Sequence, residues 1–310
     1  MAGSKSKKVL IIGSTANFMV MLMKFIAGGF TGSAAMLAEA FHSTADTMNQ
    51  VLLFIGIKRS ERKPDSRHQF GYGKERYFFS FIVAISIFAV GGVFSVYEGI
   101  NKILHPHELE NIIWAYAVLV GAIVFEGIAL IFASRELKHI QAKAQKNLWR
   151  TIRDAKDTTI ITVVFEDSAA LIGLMLALAG ITLTTLTGNG IFDGIASVAI
   201  GILLILIAIF LSVEVHSLLI GEAMTPENQQ RVRSLIKDTP GVQEIITFHS
   251  LYMGPEDALI AVEIQFDERI DVKRLVSTID QLEHQIQQAF PQVKKIFIEA
   301  DNLKAPLKSD

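Results

Sequence analysis

The stretch SAAMLAEAFHSTADTMNQVLLFIGI, residues 33–57, is long enough to cross a bilayer as a helix, yet it carries Glu39, His42 and Asp46 in its middle. A helix rises about 1.5 Å per residue, so about 20 residues cover a hydrocarbon core of about 30 Å. Each ionisable side chain held there costs about 2.5–3.5 kcal/mol on insertion scales, which makes every one a candidate functional residue unless a partner or the interface explains it. Five further apolar stretches flank this one, at about 8–30, 77–101, 111–134, 159–187 and 192–219. The first is too long, and runs too directly into the second, to read as a cleaved signal peptide. The expected fold is an α-helical membrane protein, with six transmembrane helices over residues 1–219.

Composition agrees and narrows the function. Of 310 residues 51% are hydrophobic and 19% charged, with a mean hydropathy of +0.40, which excludes disorder. The absence of cysteine removes disulfide scaffolds, thiolate metal sites and thiol nucleophiles. A net charge of −2 supplies no general basic field for nucleic acid.

Orientation follows from the cations, because positive loops resist translocation. Lys58, Arg59, Arg62, Lys63, Arg67, Lys74 and Arg76 follow the second span, and Arg135, Lys138, Lys143, Lys146, Arg150, Arg153 and Lys156 follow the fourth. Lys5, Lys7 and Lys8 precede the first, whereas the opposite connections offer only Lys102. Both termini are therefore expected on the cytoplasmic or matrix-like side. No Arg-rich, Ser-rich presequence is evident, which leans towards a bacterial inner (plasma) membrane.

After about residue 220 the pattern becomes that of a soluble domain, residues 220–310. Thr225 and Pro226 read as the N-cap and first position of a helix whose Leu235 and Ile236 face a core. Alternation at Ile260, Val262, Ile264 and Phe266 predicts a strand; Val272, Leu275, Val276, Ile279, Leu282 and Ile286 recur at helical spacing; Ile296 and Ile298 belong to a last strand. The order helix, strand, strand, helix, strand predicts a small α+β sandwich with helices on one face of a sheet.

The chemistry must come from the intramembrane ionisable groups. His42 and Asp46, four apart, lie about 40° apart around a helix and one turn apart along it, so they can grip one ion. Glu39 and Asn49 extend the same polar stripe. An imidazole with carboxylates suits Zn²⁺ and neighbouring divalent ions. In the fifth span, Glu166 and Asp167 point about 100° apart, and periodicity does not decide which faces the pair. The bland alternative for His42 and Asp46 is a structural hydrogen bond across two helices. For Lys24 and Glu126 an intramembrane polar contact is an equal alternative, and Glu98 and Asp193 sit near span ends where interfacial solvation accounts for them.

These residues resemble the cation diffusion facilitator family of metal–proton antiporters over nearly the whole chain. The likeness rests on Ala38-Glu39-Ala40-Phe41-His42-Ser43-Thr44-Ala45-Asp46, similar to the family's HxxxD, and on Pro64-Asp65-Ser66-Arg67-His68-Gln69-Phe70-Gly71-Tyr72-Gly73-Lys74-Glu75 in the next loop. It implies six spans followed by a ferredoxin-like αββαβ cytoplasmic domain. A second HxxxD is expected in the fifth span, where Val163 stands at the His position and Asp167 at the Asp. That departure, with Val164-Phe165-Glu166-Asp167-Ser168-Ala169-Ala170, resembles the branch holding the family's mitochondrial member. The resemblance implies His42, Asp46 and Asp167 as metal ligands and leaves the fourth open to Glu166, a water or nothing. It also implies a loop site at Asp65 and His68, with Tyr72 where some members have a further His, and a cytoplasmic-domain site at Glu263, Glu299 and Asp301, where a charged strand face is the plain alternative. Lys74 resembles the family's interlocking cation.

The function expected is a homodimeric secondary transporter in the lipid bilayer that exports a divalent metal, Zn²⁺ before Mn²⁺, Co²⁺ or Fe²⁺, in exchange for protons. Two other classes remain open at this stage. Three ligands with a free position also describe catalytic zinc, although no HExxH pair supplies a base, and a non-transporting metal sensor or assembly subunit would retain its ion.

Overall fold

The computed structural model describes residues 18–106, 111–144 and 158–301, with the side chains of 129, 132–133, 135–144, 158–161 and 163 left aside. The basic stretch expected after the fourth span and the cations before the first lie outside these described side chains. The chain divides into two compact units. One takes the residues up to Lys58 and Arg76–His216, and the other takes Arg59–Glu75 with the residues from Ser217 onward.

The first unit is helical: α1 (Phe18–Thr31), α2 (Ala34–Ser60), α3 (Glu75–Leu104), α4 (Ile112–Ala144), α5 (Thr158–Thr187) and α6 (Ile191–Ile220). Among the described residues, three helical segments are long and apolar enough to cross a membrane by themselves: α3, Val164–Thr187 of α5, and α6. The described part of α1 and Ile112–Ile128 of α4 are shorter apolar helices. Length and apolarity alone therefore do not reach the count of six. In α2 the reason is its composition, since the polar stripe and the cations Lys58 and Arg59 dilute the hydropathy of a 27-residue helix.

The core of this unit is rich in small residues. Ala27, Ala35, Ala38, Ala122, Ala169, Ala177 and Ala208 are buried beside Met36, Leu119, Leu174, Ile200 and Leu204. Large side chains such as Phe30, Phe125, Met175, Leu206 and Val213 point outward. Small residues let helices approach closely where the surroundings are as apolar as the core. The tightest seam joins α3 and α6: a Cβ on Gly99 would lie 2.7 Å from the Gly194 carbonyl, and one on Gly201 would lie 2.7 Å from that of Gly92. Ser197 Oγ donates to the Ser95 carbonyl across the seam at 2.8 Å. Here α3 widens into a π-turn over Ile87–Val93, the kind of irregularity that re-aims a helix.

In the second unit, α7 (Pro226–Lys237), β1 (Val242–Gly254), β2 (Asp257–Phe266), α8 (Val272–Ala289) and β3 (Val293–Ala300) follow in the order read from sequence. Thr225 caps α7 by accepting from the Asn228 N–H, with Pro226 at the first helical position. The sheet runs β1-β2-β3, antiparallel between β1 and β2 and parallel between β2 and β3. Ala258, Ile260, Val262, Ile264 and Phe266 turn one face of β2 into a core with Val232, Ile236, Leu282 and Ile286 of the helices. Val272 and Val276, expected inside, are exposed. The stripe of α8 runs through Leu275, Ile279, Leu282 and Ile286, and Val276 lies about 120° around the helix from Leu282.

The loop of residues 59–75 owes its motif to its packing in this unit. Gly71 has φ +87°, a conformation glycine adopts freely. Gly73 lies against the backbone of Met253 and Gly254, where any Cβ would collide with the Met253 carbonyl. Lys74 Nζ then donates to the carbonyls of Leu219 (3.3 Å) and Ile220 (3.4 Å), a cation on the last, unsatisfied carbonyls of α6.

Candidate metal centre

Glu39, His42, Ser43, Asp46 and Asn49 occupy one side of α2, within about 120° of arc. All are buried except Asp46, which keeps 15% of its side-chain surface. The stripe is sorted by partner. Glu39 pairs with Lys24 of α1, Nζ to Oε2 3.1 Å with both side chains wholly buried, and the same ammonium donates to Ser43 Oγ at 2.8 Å. Gly173 of α5 leaves the room for this pair, because a Cβ there would strike Glu39 Oε1. Lys24 is thus a partnered cation between α1 and α2. At the other end of the stripe Asn49 Nδ2 donates to Glu166 Oε1 at 2.6 Å, so Glu166 faces α2.

Between these two contacts stand His42 and Asp46. His42 is 1% exposed, and neither ring nitrogen has a hydrogen-bond partner among the described residues; Asp46 Oδ1 has none either. His42 Nδ1 lies 3.7 Å from that oxygen, too far for a hydrogen bond. Among the described residues, neither ring nitrogen of His42 nor Oδ1 of Asp46 makes the cross-helix hydrogen bond that the plain alternative calls for. A buried polar atom left unpaired costs about 1–3 kcal/mol, so two such groups facing each other ask for a further occupant. Asp167 is within electrostatic range of Asp46 and of Glu126 on α4. Among the described residues, however, no three His, Asp or Glu side chains are drawn together closely enough to hold an ion as they stand. The side chain at Val163 lies outside the described set.

Asp193 proves to be structural, and interfacial solvation is not its role. It is fully buried and accepts from Ser33 Oγ (2.6 Å), Ala34 N (2.6 Å) and Ala35 N (3.3 Å). A residue of α6 therefore caps α2 from 160 positions away, assisted by Ser33 Oγ, which accepts from Met36 N at 3.1 Å. Lys102, 3% exposed, donates to the Gly32 carbonyl at 2.9 Å in the same corner.

In the second unit the loop residues form a turn. Asp65 Oδ1 accepts from the N–H groups of Arg67 (2.9 Å) and His68 (2.7 Å), Tyr72 donates its hydroxyl to Oδ2 at 2.6 Å, and the His68 ring stacks on Tyr72 with centroids 4.4 Å apart. The Tyr72 hydroxyl first, then the backbone N–H of His68, hold the Asp65 carboxyl below the usual carboxylate range, and the same hydrogen bond raises Tyr72. Both oxygens of Asp65 are engaged. On the sheet, Glu263 pairs in register with Glu299, and His249 and Glu283 line the same depression. Asp301 gives its N–H to the Ile264 carbonyl at 3.1 Å.

Residues 10–220 match the cation efflux transmembrane domain, and residues 224–302 match the cytoplasmic domain of cation efflux proteins. The chain belongs to the cation efflux family. It is an integral membrane protein of a family of transporters, not of enzymes. The proton-coupled zinc antiporter SLC30A9, mitochondrial, of Xenopus laevis is 36% identical over 263 residues, covering 85% of this chain and 47% of that protein. The Homo sapiens protein of the same name is 32% identical over 91% of this chain and 50% of its own length. Metal tolerance protein C4 of Arabidopsis thaliana is 30% identical over 96% of this chain and 74% of its own length. The chain spans about half the length of the antiporters it matches. These comparisons overturn the expectation of a bacterial plasma membrane: the three relatives named above come from eukaryotes, and the two antiporters are named as mitochondrial. The presequence argument failed because a sequence covering half of its relatives carries no information about what precedes it.

Proposed function

We propose that this protein is a six-span, homodimeric secondary transporter that moves Zn²⁺ across a membrane in exchange for protons, with His42, Asp46 and Asp167 as ligands of the travelling ion. The observation that carries this reading is the buried His42 imidazole, both nitrogens without partners among the described residues, 3.7 Å from an Asp46 oxygen that also lacks one there. Loading needs a neutral imidazole and ionised carboxylates, so protons and metal compete for the same lone pairs. Metal then binds where protons are scarce and leaves where they are plentiful. Rocking of helices about a fixed intramembrane site exposes it to each side in turn. The proton-coupled zinc antiporters among the relatives support the choice of ion and counter-ion. The matched cytoplasmic domain of the family supports assembly as a dimer. The ionisable stripe of α2, together with apolar α1, α3, α4, α5 and α6, supports six spans.

The test is metal flux into proteoliposomes under an imposed pH gradient, with Zn²⁺, Mn²⁺ and Co²⁺ offered separately. Even groups outside a metal's direct ligands are worth about tenfold or more when lost, so Asp46→Asn and Asp167→Asn should each lower Zn²⁺ flux and metal-linked proton movement by at least about tenfold. Wild-type flux in both variants overturns the site.

A further inference from the structure

The last ligand of that site is open, and the two acids in reach of it are held differently. Glu166 is tied to Asn49. Glu126 stands on the buried face of α4: Ala115, Leu119 and Ala122, at 0%, 0% and 3% exposure, form a stripe that reaches Glu126 one turn on. α4 is held beside α5, where Tyr116 OH donates to Thr182 Oγ1 at 3.0 Å. With Val20, Ser43 and Asp46, Glu126 lines a narrow gap. It lies within electrostatic range of His42, Asp46 and Asp167. Ser43 Oγ accepts from Lys24. The independent sign of an occupant is His42, 1% exposed and with neither ring nitrogen partnered among the described residues, whose Nδ1 lies 3.7 Å from Oδ1 of Asp46, a residue that lines this gap.

We infer that Glu126 is a ligand of the transported ion, so that α2, α4 and α5 each supply a carboxylate to it. The inference rests on the transport site proposed above. Its chemical consequence is a donor set of one nitrogen and several oxygens, harder than one with two imidazoles, which admits Mn²⁺ and Fe²⁺ more readily beside Zn²⁺.

Equilibrium binding of Zn²⁺ and Mn²⁺ to the purified full chain in nanodiscs tests this. Glu126→Gln should weaken Zn²⁺ binding by about tenfold or more, and by more than Glu166→Gln does. If Asp46→Asn abolishes binding while Glu126→Gln binds as wild type, Glu126 is not a ligand and the rest of the site stands. If Asp46→Asn itself binds as wild type, the underlying site is wrong. Glu126→His covers the case in which the Gln variant does not fold: it puts a nitrogen donor in place of the carboxylate, and should keep Zn²⁺ binding while lowering the affinity for Mn²⁺ relative to Zn²⁺ by about tenfold. An unchanged ratio overturns the inference.

Discussion

Removing the Asp193 carboxylate should loosen the helix that carries His42 and Asp46. The side chain accepts three hydrogen bonds, from Ser33 Oγ and the N–H groups of Ala34 and Ala35, and lies within electrostatic range of the buried Lys102. Hydrogen bonds to a charged group contribute about 1.5–3 kcal/mol each, and a lost N-cap costs about 0.5–2 kcal/mol. These do not add fully, because Ser33 Oγ still accepts from Met36 N. For Asp193→Ala we expect a loss of about 3–5 kcal/mol, and for Asp193→Asn, which keeps one acceptor but not the charge, about half that. At about 2–4 °C per kcal/mol for a unit of this size, the alanine variant should melt about 6–20 °C lower. The assay is thermal unfolding of the full chain in detergent, followed by intrinsic fluorescence, with the outward-facing Val213→Ala as a control expected to stay near wild type. Zn²⁺ flux should fall in the same order as melting temperature. An alanine variant that melts within about 1 °C of wild type, or an Asn variant no better than the Ala variant, refutes the capping argument.

Two further outcomes follow from contacts on either side of the candidate site and in the loop. Breaking the buried Lys24–Glu39 pair from one side strands a charge, so Lys24→Met should cost about 3–5 kcal/mol, and the double variant Lys24→Met with Glu39→Gln should recover part of it in the same melting assay. In the loop, Asp65 is depressed, so its contribution is complete above the ordinary Asp value of about 3.9 and disappears only as pH falls through its lower folded value. Carboxyl-carbon NMR should show Tyr72→Phe returning the Asp65 titration towards the ordinary range; an unmoved titration rejects the assigned hydrogen bond.

What the chain reveals before folding is what depends on local order. The stripe from Glu39 to Asn49 is periodic on one helix, and the alternation from Ala258 to Phe266 is periodic on one strand, so both are legible. Partners set by long-range packing are not. Asp193 reads as an acid near a span end, and only the approach of α6 to the start of α2 turns it into a cap. For Lys24 the sequence leaves a polar contact and a transport role equally open until Glu39 and Ser43 meet it. The split of Glu166 towards Asn49, with Asp167 left near Glu126, depends on how α5 is rotated against α2 and α4. Val276 was misplaced because a hydrophobic residue near a helical stripe is counted with it, although about 120° separates it from Leu282. The glycines of the loop were visible as a motif, but the reason for Gly73, the backbone of Met253 and Gly254 against it, belongs to a hairpin about 180 residues later.

The assignment of residues 59–75 to the soluble unit means that the chain passes between the units three times, at 58–59, 75–76 and 216–217. A protein shortened at residue 220 would therefore lose more than a tail. It would leave the segment between α2 and α3 stripped of the surface that Gly73 was shaped to meet, and damage of that kind would be mistaken for a regulatory role of the missing part.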